Sequence, residues 1–322
     1  LIFIMVVVGG ITRLTDSGLS MVNWNLFIGS IPPLNIEDWN NTFALYQESP
    51  EGKKINYDIT LEEFKYIFFW EYLHRMIGRL LGLVFIIPFI YFILKGMLSE
   101  KLIKQSIILL FLGAAQGVIG WWMVKSGLVD NPHVSHYRLS IHLITAFLTC
   151  GFAYWTALPL IFNKKRSGNK KMSQLLFIYF ILVIIQIIYG AFVAGLDGGG
   201  GYNTWPKMNQ EWIPESVYTD INGYNPIWFF EHRWGVQFIH RTLAIVIFMF
   251  TLFIWRYGRK NIKTSINKKL LNILLIIIFI QMTLGILTLI LASPILLAAL
   301  HQITAFFLLM TVISCLFFFQ KT

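Results

Sequence analysis

The chain has 322 residues, 56% of them hydrophobic and only 13% charged, with a mean hydropathy of +0.64. That leaves too few polar residues to cover a water-soluble globule of this length, so a soluble domain is excluded. The net charge of +10 lies in short links between apolar blocks rather than in one patch, which argues against a nucleic-acid partner and for a lipid bilayer.

Apolar blocks long enough to span a hydrocarbon core as a helix, roughly 18–20 residues, predict eight spans. In chain order these end near 14 and then cover 66–94, 103–124, 137–162, 172–195, 233–256, 268–291 and 295–319. The opening run Leu1–Ile11 lacks the basic start and small-residue end of a cleavable signal and reads as the later part of a first span. Links after the second, fourth and sixth spans carry Lys95, Lys101 and Lys104; Lys164, Lys165, Arg166, Lys170 and Lys171; and Arg256, Arg259, Lys260, Lys263, Lys268 and Lys269. Lys321 follows the last span. By the positive-inside rule these links and both termini face the cytoplasm or its organellar equivalent, and the long loops 15–65 and 196–232 lie outside. Trp24, Trp39, Trp205, Trp212, Trp228 and Trp234 suit an interfacial belt there. Cys150 and Cys315, far apart in apolar blocks, read as small buried hydrophobes and not as a disulfide or metal motif.

The chain repeats itself. Gly9, Asp16, Gly18, Trp24 and Pro33 recur as Gly190, Asp197, Gly199, Trp205 and Pro214 at one offset of 181. Leu73-His74-Arg75 then matches Ile239-His240-Arg241, Gln116 and Gly120 match Gln281 and Gly285, and the run from His142 to Phe147 matches that from His301 to Phe306. The expected fold is therefore an all-α polytopic membrane protein of eight helices in two pseudo-repeated four-helix bundles, 1–165 and 166–322, in parallel orientation.

Four of the seven histidines, His74, His142, His240 and His301, fall near the outer ends of spans, all at repeated positions. An intramembrane ionisable group is costly and needs a partner or a function. Neutral imidazoles from two facing helices can take both axial positions of a heme held edge-on in a bundle, so two bundles give two heme sites. Hydrogen bonding across helices is the plainer alternative, and zinc is weaker because no thiolates or carboxylate clusters accompany the four. Arg75, Arg79, Arg138 and Arg241 lie beside these histidines and can pair heme propionates or snorkel to lipid phosphates. Gly78 with Gly82, and Gly113 with Gly117, offer room for a flat macrocycle or a close helix. His133, His136 and His232 belong to the outer loops, in solvated or loop-structural roles. The halves differ at one telling place: Glu71, three residues before His74, corresponds to Gln237. A carboxyl beside one heme position is a candidate acid, base or cation stabiliser, with a salt bridge to Arg75 as the plain alternative. The asymmetry suggests a reactive site in the first half and a resident electron-transfer heme in the second.

At these residues the sequence resembles the heme A synthase family of cytochrome oxidase assembly. The stretches that carry the resemblance are GGITRLTDSGLSMVNW with the following IPP, EYLHRMIGRLLG, YRLSIHL, AGLDGGGGYNTWPKM, FIHRTLA and LHQITAF, spread over nearly the whole chain. The resemblance implies oxidation of the C8 methyl of heme O to a formyl group through an alcohol, giving heme A. By position, His74 and His142 would hold the substrate heme, Glu71 would be the functional carboxylate, and His240 and His301 would ligate a resident heme b. It also implies a heme O synthase and an electron donor as partners, and a bacterial or mitochondrial inner membrane; whether the chain forms a homo-oligomer stays open. Some members carry a cysteine pair in the first outer loop; residues 15–65 here contain none, which excludes a thiol-based role for that loop. A diheme b-type electron-transfer cytochrome and a heme carrier are the competing readings.

Overall fold

The computed structural model describes residues 1–22, 29, 31–129, 132–162, 169–220, 223–262 and 264–320. Trp24, Lys164, Lys165, Arg166, Lys263 and Lys321 lie outside the described residues. The protein is an all-α polytopic membrane protein. Among the described residues, seven helices are long and apolar enough to cross a bilayer, and the first helix, α1 (Ile2–Leu14), is apolar but shorter. The seven are α4 (Leu61–Leu94), α5 (Glu100–Lys125), α6 (His136–Ile161), α7 (Lys170–Gly195), α9 (Arg233–Asn261), α10 (Ser265–Ile290) and α11 (Ile295–Phe319). The short helices α2 (Ile36–Gln47), α3 (Pro50–Lys54) and α8 (Trp228–Glu231), with a two-stranded ladder β1 (Thr219–Asp220) and β2 (Gly223–Tyr224), occupy the long loops.

Polar caps extend several helices beyond their apolar blocks. Thr60 and Glu63 form a reciprocal capping box that starts α4 five residues before the apolar stretch. Asn169 caps α7 through Met172 N, and Ser99 caps α5 through Leu102 N. At 34 residues, α4 runs about 50 Å, well over the roughly 30 Å hydrocarbon core. Its first turns therefore stand clear of the membrane. There α2 folds onto it around Met21, Tyr46, Phe64, Ile67 and Phe68, and α3 packs on α2. Trp39 joins this small core, edge-on to Phe68 at 5.2 Å, which gives it a packing partner besides the interface. The loop helices went unread in the sequence because their mean apolarity is low and their periodicity short.

The chain divides into two compact units, Leu1–Thr149 and Cys150–Thr322. The division falls inside α6 and not in the basic link near 165, because the end of α6 packs on α11. Tyr154 and Ser314 share a hydrogen bond of 2.7 Å, Trp155 meets Phe317 edge-on, and Gly151 faces Ile313. In the first unit α4 packs against α1 and α5. Thr12 Oγ1 reaches across to the Trp70 carbonyl, and no residue of α5 is buried. In the second unit α7 packs on α9, α9 on α10, α10 on α11 and α11 on α7, a closed four-helix ring in which α9 and α11 stand diagonally. Its packed interior lies toward the end of α11, where Leu309, Val312, Cys315 and Phe319 are buried. The residues around His301 are only half-buried.

Candidate functional site

Each of the four histidines at repeated positions is seated against a glycine of the preceding apolar helix. A Cβ placed on Gly9 of α1 would lie 2.7 Å from Cε1 of His74, and one on Gly120 of α5 would lie 3.1 Å from Cε1 of His142. In the second unit Gly190 of α7 stands to His240 as 3.2 Å, and Gly285 of α10 to His301 as 2.9 Å. A side chain at Gly9 or Gly285 would force the imidazole to shift, and one at Gly120 or Gly190 would crowd it by a few tenths of an ångström, so the missing Cβ helps set where each ring sits. These are the glycines of the repeated pattern. Of the glycines read as offering room, Gly82, Gly113 and Gly117 have open space at the Cβ position, and Gly78 meets Met5.

His240 and His301 face one another across the diagonal of the second unit, ring centres 6.4 Å apart and planes at 76°. Two imidazoles on one iron, with metal–nitrogen bonds of about 2 Å, have ring centres roughly 6 Å apart. Gln186 Nε2 lies 3.1 and 3.3 Å from the two ring nitrogens of His240 and donates to its carbonyl at 3.0 Å. Gln281 Nε2 lies 3.2 Å from Nε2 of His301, whose Nδ1 is buried without a partner. In the first unit, Nδ1 of His74 is likewise buried without a partner among the described residues. Buried imidazole nitrogens that no described protein group satisfies suit iron ligation, so the residues present fit an axially ligated heme. Among the described residues no three His, Cys, Asp or Glu side chains gather around one point as a metal-ion cage.

Glu71 is 3% exposed and fully engaged. One carboxylate oxygen accepts from Ser20 Oγ and from Met21 N, both at 2.7 Å, and the other pairs with Arg75. Arg75 also donates to the Met21 carbonyl at 3.1 Å. The salt bridge anticipated as the plain alternative is therefore real. It stitches the loop after α1 to α4 one turn from His74. In the second unit Gln237 does the complementary thing, donating to the Gly198 and Tyr202 carbonyls. Arg241 donates to the carbonyls of Tyr202, Thr204, Pro206 and Lys207 and lies over the Trp205 ring. Asp16 and Asp197, which end α1 and α7, both take a left-handed backbone conformation, at φ 48° and 49°.

Arg138 donates to the Trp122 carbonyl at 2.8 Å and stacks over its ring, while Arg79 Nη1 meets the Met76 sulfur. His232 caps α9 through Trp234 N and stacks on Trp228 at 3.7 Å, a structural role. His136 opens α6 beside Tyr137. Sequence reasoning missed Gln186: its partner position in the first half is Met5, so no repeated motif marks it. It also missed Glu51 and Tyr46, buried together in the long loop between α1 and α4 with the tyrosine hydroxyl donating to the carboxylate at 3.0 Å. Burial, with Glu71 and Asp16 adding to it, pushes the Glu51 carboxyl up to about 7, against the partly opposing Tyr46 hydrogen bond.

Residues 1–313 match the family model COX15-CtaA, described as cytochrome oxidase assembly protein. Among curated proteins, the chain is 47% identical to a heme A synthase of Flavobacterium psychrophilum, an alignment covering 100% of this chain and 95% of that one. It is 46% identical to one of Flavobacterium johnsoniae over 96% and 92%, and 45% identical to one of Nitrosospira multiformis over 96% and 87%.

Proposed function

This chain belongs to the COX15-CtaA family of cytochrome oxidase assembly proteins, and from that premise we infer that it is an oxidoreductase that converts heme O to heme A, taking the C8 methyl through an alcohol to a formyl group. The observation that carries the reading from the family to this chain is the His240–His301 pair. It faces across a bundle at the spacing of two ligands on one iron. The duplicated glycine-seated pair His74 and His142 gives the substrate porphyrin its own place in the first unit.

The eight apolar helices form two copies of one four-helix unit, and the matching hydrogen bonds support this. Arg75 meets the carbonyl of Met21 and Arg241 that of Tyr202, two residues related by the same offset of 181 as Gly9 and Gly190. His240 and His301 hold a resident heme b, which supplies one-electron transfer when bound. His74 and His142 hold or flank the heme O. Glu71, held by Arg75, Ser20 and Met21 N, places a carboxyl group one helical turn from His74. There it steadies positive charge at the reacting carbon or accepts the proton released from it. Arg79 and Arg138 are the cations for propionates. Arg75 and Arg241 act first as clamps that hold the loops over the two sites. The basic links face the cytoplasm or matrix of an inner membrane, so both heme sites lie toward its outer face. A heme O synthase supplies the substrate and a separate redox partner takes part in the electron transfer.

Membranes carrying the protein, incubated with heme O and analysed by mass, test this directly. Heme A and the alcohol form are expected. Heme O recovered unchanged, with two hemes B bound, would place the protein among electron-transfer cytochromes; heme O bound and released unchanged would make it a carrier.

A further inference from the structure

Around His142 the first unit carries cations and tryptophans where the second unit is apolar. Gly120, which seats His142, is followed by Trp121 and Trp122, and Lys125 ends the helix. Lys125 Nζ lies over the Trp121 ring at 5.1 Å. Arg138 stacks over Trp122 at 4.5 Å and donates to its carbonyl at 2.8 Å. On α6, Arg138 stands one turn before His142 on the same face. Neither cation has a carboxylate partner among the described residues, whereas Arg13 and Lys65 are paired with Asp16 and Glu62. The repeat aligns Trp121, Trp122, Lys125 and Arg138 with Ile286, Leu287, Ile290 and Leu297, and Arg79 with Ile245. The second unit's own cations stand elsewhere. Arg241 is spent on four carbonyls, and Arg233 lies over the Trp234 ring two turns before His240.

Cations at a helix C-terminus complement its dipole. That alone does not account for these two, because α10 has the length of α5, fills the matching place and ends without a basic residue. An indole face holds a guanidinium or ammonium by cation–π attraction and leaves its outward N–H groups for an anion. A guanidinium so held meets a carboxylate in bidentate fashion. A heme carries two carboxylates on one edge of its ring. We propose that Lys125 and Arg138, backed by Trp121 and Trp122 and joined by Arg79, form a carboxylate-recognition rim through which the first unit selects a porphyrin with its propionates free. Oxidation at C8 leaves the propionates untouched, so this grip is the same in ground and transition states and acts on KM more than on kcat.

This rests on the assignment of heme O to His74 and His142, and the test separates the two. The purified holoprotein is titrated with heme O and with heme O dimethyl ester, which keeps the ring and tail and loses both charges. The ester is expected to bind roughly 10- to 100-fold more weakly, the range for losing hydrogen bonds between charged groups. Arg138→Gln combined with Lys125→Gln is expected to bring heme O down to the level of the ester and to leave the ester unchanged. In membranes the same double variant should raise KM for heme O far more than it lowers kcat, with heme b still bound in the second unit. Cations that served only the fold would weaken both porphyrins together. Equal affinity of the unaltered protein for heme O and its ester overturns the proposal and depends on no variant folding. A double variant that keeps the full discrimination overturns it too, and would assign the cations to lipid phosphates. Binding of neither porphyrin to the first unit would instead remove the parent assignment, and this inference with it.

Discussion

Replacing Glu71 with Gln is the sharpest perturbation available, because the second unit already carries Gln at the matching position in a different setting. Gln237 is surrounded by carbonyl acceptors, those of Gly198 and Tyr202. Glu71 is surrounded by donors: Ser20 Oγ, Met21 N and the Arg75 guanidinium. A carboxamide in place of Glu71 keeps the volume but points an NH2 group at donors on one side or the other and leaves the half-buried Arg75 guanidinium without its counter-charge. Breaking one partner of a buried ion pair costs about 3–5 kcal/mol, and here that cost falls on the contact between the loop after α1 and α4. The thermal midpoint of the purified protein should fall, with loop 15–22 the first segment to become protease-sensitive. If Glu71 handles the proton or charge of methyl oxidation, heme A output at equal heme content should drop roughly 10²- to 10⁴-fold, while heme b stays bound between His240 and His301. The assay is heme O turnover in membranes, normalised to bound heme. Normal output at normal heme content would refute the role of Glu71, whatever happened to stability.

Alanine at the four histidine-facing glycines should be graded by clearance: Gly9→Ala and Gly285→Ala, with Cβ approaches of 2.7 and 2.9 Å, should disturb heme binding more than Gly120→Ala and Gly190→Ala at 3.1 and 3.2 Å. Overpacking of this kind costs about 1–3 kcal/mol, and heme content of each purified variant reads the order. Arg241→Lys should lose most of the four carbonyl hydrogen bonds and speed proteolysis of loop 202–207, since hydrogen bonds to a charged group contribute about 1.5–3 kcal/mol. Burial raises the Glu51 carboxyl from 4.5 to about 7, so the folded protein binds this proton more tightly than the unfolded chain does. Stability from this group is complete below pH 4.5 and is lost as pH rises through 7. Glu51→Gln should flatten that part of the melting profile, and an unchanged slope would show that Glu51 does not titrate there.

How much of this was legible in the sequence depended on which force set each feature. The spans are set by bilayer thickness and apolar block length, and α5, α6, α7, α10 and α11 begin within about three residues of expectation. Where a polar cap decides the start, as Thr60 and Glu63 do for α4, hydropathy alone falls short. The four histidines and the Glu71/Gln237 difference were readable because duplication aligned them. The arginines were readable as neighbours of the site but not in role. Arg241 is drawn to four carbonyls by a loop fold that no spacing rule encodes. The glycines divided the same way: regular small-residue spacing drew attention to Gly113 and Gly117, which face open space, while the close approaches belong to Gly9, Gly120, Gly190 and Gly285. Gln186 escaped because the repeat breaks at that point, and a broken repeat carries no signal until the structure shows what the odd residue touches.

The central claim is that one unit keeps its heme and the other transforms one. The most direct test is to express the protein in cells that make heme O, extract the bound hemes, identify them by chromatography and mass, and repeat this with His74→Ala and His240→Ala. The account predicts heme B together with heme O, the alcohol or heme A. It further predicts that His240→Ala loses heme B, while His74→Ala keeps heme B and loses the O-derived species. Heme B alone, lost in equal measure from either variant, would contradict it.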